Sequence, residues 1–289
     1  MSSPRRLAIL GPGLLGGSLG LDYRRRWPEV EVRLWGRRAE ALEQARQLGM
    51  AHWVSTELRE VVAGADTVVL CVPVGAMKAL VVEALPSLHE AALVTDVGSV
   101  KGSVVSDLEP LLQGRALFVG SHPMAGSEKA GLVAAREGLF DGAVCILTPE
   151  AGRTPEAALA RATALWEGVG CRVRSLDPGL HDAVCARISH VPHVAAAALV
   201  NAVSSALPEA FDFCGPGFRD TTRVAGGLPE MWCEILRSNR EAVVDGLRQV
   251  VAQLETVIQV LGRTDSAADE ALRLFLVEAK TRRDQLRSP

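Results

Sequence analysis

A histidine stands in the middle of Gly120-Ser121-His122-Pro123-Met124-Ala125-Gly126-Ser127-Glu128, directly after the apolar run Ala116 to Val119. That run reads as a buried strand, which puts His122 just past a strand's C-terminal edge, where open α/β sheets bind their ligands. Imidazole changes protonation near neutral pH more readily than any other side chain, so the position suits proton exchange with a bound molecule. The surrounding prolines and glycines predict a fixed loop in place of a helix. A solitary histidine in a turn is commonly structural, and what sets His122 apart is the company of other motifs.

The first of these is Gly11-Pro12-Gly13-Leu14-Leu15-Gly16, which follows the apolar run Leu7–Leu10 and opens a helix read from Leu19 onward. In this strand–turn–helix setting the spacing is a dinucleotide fingerprint. Gly11 makes the turn, Gly13 lets backbone approach a pyrophosphate, and Gly16 packs helix on strand. The helix N-terminus adds N–H donors and a partial positive charge for phosphate. The next strand ends Leu34-Trp35-Gly36-Arg37-Arg38, with no acidic residue to take a ribose 2′-hydroxyl. Gly36 leaves room there, and two guanidinium groups can grip a 2′-phosphate. NADP is therefore expected in preference to NAD. Val72 and Pro73 close the run Thr67–Val72, and Asp96-Val97-Gly98-Ser99-Val100-Lys101 closes the run Ala92–Thr95. Both lie on the edge where a nicotinamide should rest, with Ser99 able to touch its amide. Lys101 reads equally as an ordinary first-turn residue.

These residues need a frame. Seven apolar runs, the four above with Val32–Trp35, Val144–Leu147 and Arg172–Ser175, alternate with helical patterns such as Ala39–Leu48, Ala76–Leu85, Val104–Leu112 and Glu156–Gly168. Such alternation predicts βαβ units in a doubly wound, mostly parallel Rossmann-type sheet. Beyond residue 175 strand signals stop. The expected division is therefore a dinucleotide-binding domain over 1–175 and an all-α substrate and dimerisation domain over 176–289. Asp177-Pro178 should cap a helix running toward Ala206, kinked at Pro192. One long helix is expected from Pro229 to Leu261, and Ser266 with Asp269 as a capping box for the last. The stripe Val243, Leu247, Val250, Leu254, Val257 and Leu261, widened by Val244, Val251 and Ile258, must be buried against more than one neighbour. Helices of the same domain could cover it, as could a second subunit, and a two-fold homodimer through these helices is favoured.

A net charge of −3 across 289 residues, without a basic patch, argues against a nucleic-acid partner. Six cysteines, at 71, 145, 171, 185, 214 and 233, lack the close pairs of zinc or redox motifs. They read as small buried hydrophobes in a reducing cytoplasm, and no metal site is expected. The apolar run around Val194 to Val203 reads as too short to span a membrane.

Taken in order, Gly11–Ser18, Asp96–Lys101, Gly120–Glu128, Ser189-His190-Val191-Pro192-His193 and Gly217-Phe218-Arg219-Asp220-Thr221-Thr222-Arg223, with Met231-Trp232, resemble the prephenate and arogenate dehydrogenases of tyrosine synthesis. The resemblance covers nearly the whole chain, and its histidine loop is highly specific. It implies NAD(P)-dependent oxidative decarboxylation of a cyclohexadienol, prephenate or arogenate, in which the cofactor carries the hard chemistry. By similarity His122 accepts the hydrogen bond of the ring hydroxyl, and Ser99 orients His122 and the nicotinamide. Arg223 binds a substrate carboxylate, Ser189, His193 and Trp232 line the pocket, and Glu128 contributes to gating or to the partner's site. His193 is favoured over His190, His181 and Asp182 read as helix-start residues, and His52 and His89 as surface. With no acid in Gly226-Gly227 to meet an ammonium, prephenate is favoured over arogenate, with Glu128 and Asp220 as the two carboxylates that could supply that charge instead.

Two rivals remain. A β-hydroxyacid dehydrogenase would be expected to use a lysine of the helical domain, where only Lys280 follows Lys129. A catalytically silent NADP sensor need not keep both His122 and Arg223.

Overall fold

Leu7 and Ile9 belong to one buried apolar cluster and Ala8 and Leu10 to another, none of them exposed. A parallel strand covered by helices on both faces has to be apolar throughout, and this one is. A computed structural model of the chain, describing residues 4–126 and 131–286, places it at the centre of a six-stranded parallel sheet. The strands are β1 (Arg6–Leu10), β2 (Glu31–Trp35), β3 (Trp53–Ser55), β4 (Thr67–Leu70), β5 (Leu93–Asp96) and β6 (Leu117–Phe118), in the order β3-β2-β1-β4-β5-β6. The helices between them are α1 (Leu14–Arg26), α2 (Ala39–Gln47), α3 (Leu58–Val62), α4 (Val74–Ala84) and α5 (Gly102–Leu112). This strand order reverses direction between β1 and β4, so a crevice opens at the carboxyl ends of those two strands.

The last three strands leave this sheet. Gly120–Pro123, expected as loop, is strand β7, and His122 is paired with Ile146. β7 runs antiparallel to β8 (Val144–Thr148), which runs parallel to β9 (Arg172–Ser175), making a separate three-stranded sheet. The helix between β8 and β9, α6 (Glu156–Glu167), puts Trp166 in the core, where its indole N–H donates to Ser121 Oγ at 3.0 Å. Pairing with the buried apolar strand β8 overrode the proline and glycine signals here.

The remainder is helical: α7 (Pro178–Cys185), α8 (Val191–Ala206), α9 (Pro216–Thr222), α10 (Pro229–Ser238), α11 (Arg240–Leu261) and α12 (Ser266–Asp284). Asp177 caps α7 as expected, accepting from Leu180 N at 2.8 Å. Pro192 does not break the chain's course. A π-turn, Ala186–His190, joins α7 to α8, and the wider register just ahead of the proline absorbs its missing donor. The continuous 29-residue helix Pro178–Ala206 therefore holds an 18-residue window with a mean hydropathy of 1.4, long and apolar enough to cross a bilayer, contrary to the short run expected. It also carries polar groups into the interior, since His181, Asp182, His190 and His193 are all buried.

Three further expectations are corrected. Helix α1 starts at Leu14, five residues early, because the glycine turn leads straight into it. The helix from Pro229 is broken at Asn239, whose buried amide donates to Asp182 O at 2.7 Å instead of facing solvent. The cap of α12 is Asp265, accepting from Ala268 N, and not Ser266. Within the single chain, Leu254, Ile258 and Leu261 of α11 are 58%, 68% and 63% exposed, and α12 adds Leu274 and Leu276. Apolar faces of this extent mark an interaction surface.

Candidate active site

The three glycines divide their tasks as a dinucleotide cradle requires. Gly11 has φ +120°, and a Cβ there would stand 2.3 Å from Cys71 O. A Cβ on Gly16 would stand 2.1 Å from Gly11 O, whereas one on Gly13 would meet nothing within 4 Å. Two glycines let backbone close on backbone, and the third leaves open space at the N-terminus of α1. This is the shape a pyrophosphate needs. Gly36 packs against the Pro12 ring, so the β2 tip with Arg37 and Arg38 lies beside the turn. Both arginines are exposed.

From this cradle a cleft of about 540 Å³ runs between the sheet and the helical region. Gly13, Leu14, Leu15, Val72, Pro73, Gly98 and Ser99 line one side, and Ser189, Arg223, Gly227, Met231 and Trp232 the other. Sequence-distant candidates thus meet in one cavity. Gly11, Gly16, Gly36, Arg37 and Arg38 lie outside its wall, the first two as supports beneath it. Glu128 lies outside the described residues. His193 reaches the site through Trp232, on which its ring stacks at a centroid distance of 3.5 Å. A side chain at Gly227 would collide with that indole, its Cβ falling 2.3 Å from Trp232 Nε1. Burial lowers the His193 pKa, and its Nδ1 has no hydrogen-bond partner in the described structure. His190 is turned away from solvent, near Asn239, and burial takes its pKa down to about 4.

His122 is 8% exposed and its Nδ1 lies 2.9 Å from His181 Nε2. His181 Nδ1 in turn lies 2.8 Å from Asp182 Oδ1. The Asp182 carboxylate also accepts from Lys101 N at 2.7 Å and Gly102 N at 2.8 Å. Burial acts to raise the Asp182 pKa, but the His181 hydrogen bond and these two N–H donors outweigh it and hold the pKa below the usual value. An ionised Asp182 accepts a hydrogen bond from His181 Nδ1–H, and with His181 as the neutral imidazole its Nε2 then accepts from His122 Nδ1–H. The network therefore leaves the lone pair of His122 on Nε2, which makes no hydrogen bond among the described residues. Burial, then the neighbouring His181, Lys101 and His190, push the His122 pKa well below 6.5. His122 is neutral at pH 7, as a base must be.

His181 and Asp182 are thus site residues and not helix-start residues. One local signal for them existed, because a histidine and an aspartate follow the Asp177 cap within one turn. His122 is hydrogen-bonded by His181, and Ser99, expected to orient His122 and the nicotinamide, lines the cleft beside Gly98. Cys185, one turn after His181, brings Sγ to 3.4 Å from His181 Nε2.

Below His122 the strands are tied by Asp96. Its carboxylate accepts from Gly98 N at 2.8 Å and Ser121 N at 3.0 Å and pairs with the Lys101 ammonium, both side chains being fully buried. Lys101 is therefore no ordinary first-turn residue. Lys101→Met should cost about 3–5 kcal/mol, since it strands a buried carboxylate. Urea unfolding followed by tryptophan fluorescence would measure it, and a loss under about 1 kcal/mol would show that the pair is dispensable.

The profile for "Prephenate dehydrogenase, nucleotide-binding domain" matches residues 19–175, and that for "Prephenate dehydrogenase, dimerization domain" matches residues 177–276. A cyclohexadienyl dehydrogenase from Zymomonas mobilis is 34% identical over 96% of this chain and 95% of its own. A prephenate dehydrogenase from Bacillus subtilis is 33% identical over 97% of this chain and 76% of its own. The structure of prephenate dehydrogenase from A. aeolicus with hydroxyphenyl propionate and NAD+ superposes with a TM-score of 0.90 at 34% identity, covering 99% of both chains. On these matches, and with the glycine turn and Arg223 facing one cleft, the chain belongs to the prephenate dehydrogenase family, the NAD(P)-dependent oxidoreductases acting on prephenate or arogenate in tyrosine synthesis.

Proposed function

We propose that the chain oxidatively decarboxylates prephenate to 4-hydroxyphenylpyruvate, with His122 as the base. The observation that carries this reading is the chain Asp182–His181–His122, which leaves Nε2 of a neutral imidazole without a hydrogen bond among the described residues, three residues ahead of Ala125 in the wall of the cleft that Arg223 also lines. A nicotinamide dinucleotide, held by Gly11, Gly13, Leu14, Leu15 and Gly16, would supply the hydride acceptor. His122 Nε2 takes the proton of the ring hydroxyl as hydride leaves the same carbon. Carbon dioxide departs from the opposite ring carbon, and the ring becomes aromatic. Arg223 holds a substrate carboxylate, Ser189 and His193 meet the polar groups of the substrate, and the Trp232 indole walls the ring. Val72, Pro73 and Ser99 flank the nicotinamide end.

Prephenate is preferred to arogenate because Glu234 is the single carboxylate among the described lining residues, and its Oε1 is engaged by Gly75 N. Asp220 does not line the cleft. The Arg37 and Arg38 side chains hydrogen-bond to no described residue, which supports NADP over NAD. We further place the unit boundary at 175/176, a homodimer through the exposed faces of α11 and α12, and the protein in the cytoplasm, where its six unpaired cysteines would stay reduced.

Crossing prephenate and arogenate with NAD and NADP, and following reduced-nicotinamide absorbance, tests the whole reading. Fastest turnover with prephenate and NADP is expected. Replacing Arg37 and Arg38 together by alanine should cut kcat/KM for NADP about 10- to 100-fold and leave NAD nearly unchanged, on the strength of charge-assisted hydrogen bonds. Equal losses with both cofactors would remove the 2′-phosphate assignment. Protein that binds NADP but turns over neither substrate would favour the sensor.

A further inference from the structure

Behind the proposed base, three ligating atoms converge. His122 Nδ1 and His181 Nε2 are 2.9 Å apart, and Cys185 Sγ lies 3.7 Å from the first and 3.4 Å from the second. All three residues are buried, and together they form a set able to hold a metal ion. No spacing motif announces it, because His122 and His181 are separated by 59 residues. We propose that this His₂Cys set is an inhibitory site for a thiophilic divalent cation of the zinc class, and that filling it switches the enzyme off.

The geometry is close to what such an ion asks. At metal–nitrogen distances of roughly 2.0–2.1 Å and a metal–sulfur distance of roughly 2.3 Å, a tetrahedral ion holds its nitrogens about 3.3 Å apart and nitrogen from sulfur about 3.6 Å. The two imidazoles need to part by only about 0.4 Å from their present hydrogen bond, and sulfur hardly moves. Asp182 already accepts from the outer N–H of His181, the arrangement that orients metal-bound histidines. A mixed imidazole and thiolate set favours zinc-like ions over magnesium or calcium, which prefer oxygen.

Burial pushes the Cys185 thiol up to about 12, so the apo site holds S–H. A bound cation displaces that proton, as coordinating thiols lose theirs outright. The buried Lys101 charge opposes the incoming cation, and together with the closed surroundings it makes entry slow and affinity modest. Inhibition follows from proton bookkeeping. To ligate through Nδ1, His122 must carry its remaining proton on Nε2, where it can no longer accept one from the ring hydroxyl. This consequence rests on the function proposed above, whereas the binding itself rests on the three atoms.

The test uses the full-length protein freed of metal and titrated with Co²⁺, then Zn²⁺. One Co²⁺ per chain should bind with a thiolate-to-cobalt charge-transfer band, and Zn²⁺ should displace it. Zn²⁺ in saturating excess, after preincubation, should lower prephenate turnover at least about 10-fold, reversibly on adding a chelator. Cys185→Ala should lose the band and the inhibition, keeping its metal-free turnover within about twofold. Cys185→Ser, of nearly the same volume, repeats the test if alanine does not fold. Cys233→Ala, which removes an exposed thiol, should retain the band. Absence of the band, or a band that survives in both Cys185 variants, overturns the site. A band with no turnover on either substrate would leave the site standing and remove the proposed function instead.

Discussion

His122→Asn is expected to lower kcat about 10²- to 10⁴-fold, the usual range for a lost general base, with the apparent substrate constant changed less than about threefold. Asparagine keeps the inner half of the imidazole's shape, so its amide can still meet His181, but it takes up no proton. Substrate binding rests on Arg223, Ser189, His193 and Trp232 across the cleft, which the change does not touch. The pH profile separates this role from a structural one. Only neutral His122 is active, and burial with the neighbouring His181 and Lys101 holds its pKa well below 6.5. A lowered pKa moves protonation to more acid solution, so kcat/KM should stay on its plateau as pH falls through 6.5 and drop only below it. The asparagine variant should lack this acid limb. A wild-type limb centred at or above 6.5, or an asparagine variant with intact turnover and a raised substrate constant, would take the base assignment away from His122.

Arg223→Ala should do the converse, raising the apparent substrate constant. Truncating one partner of a charge pair costs about 2–5 kcal/mol when the contact is buried, or roughly 30- to several thousand-fold. Arg223 is exposed in the single chain, so the loss belongs in the lower part of that range, about 30- to 300-fold. Most of it should fall on KM, since the carboxylate it holds is charged before and during the reaction, and uniform binding of that kind leaves kcat nearly alone. Two companions sharpen the reading. Arg223→Lys should recover only part of the loss, because an ammonium cannot form the two-pronged contact of a guanidinium. The wild-type KM should rise with salt, as for any solvent-accessible pair, and the alanine variant's should not. Steady-state kinetics at two ionic strengths measures both, and a loss confined to kcat would refute the carboxylate role.

The parts of this protein legible without a structure are those encoded locally. Gly11, Gly13 and Gly16 could be assigned because each turn conformation or close approach is a property of a few consecutive residues, and the all-apolar runs Leu7–Leu10 and Val68–Leu70 announce a sheet covered on both faces. His122 and Arg223 could be picked out because each lies in a distinctive short motif. What lay beyond reach depended on segments far apart in the chain. That Gly120–Pro123 pairs with β8 is decided by the partner strand, and no turn signal reports it. Asn239 looks like one more residue of a long amphipathic helix until Asp182 and His190 arrive beside it and end that helix. Likewise His181 and Asp182 carry ordinary helix-start chemistry in sequence. They become the partners of the base only because α7 packs its first turns under β7 and the start of α5. The residue types that could do chemistry were thus determined by the sequence alone. Which nitrogen of His122 is left to do it was decided by tertiary packing, since a hydrogen bond across 59 residues depends on where whole elements settle and not on any local period.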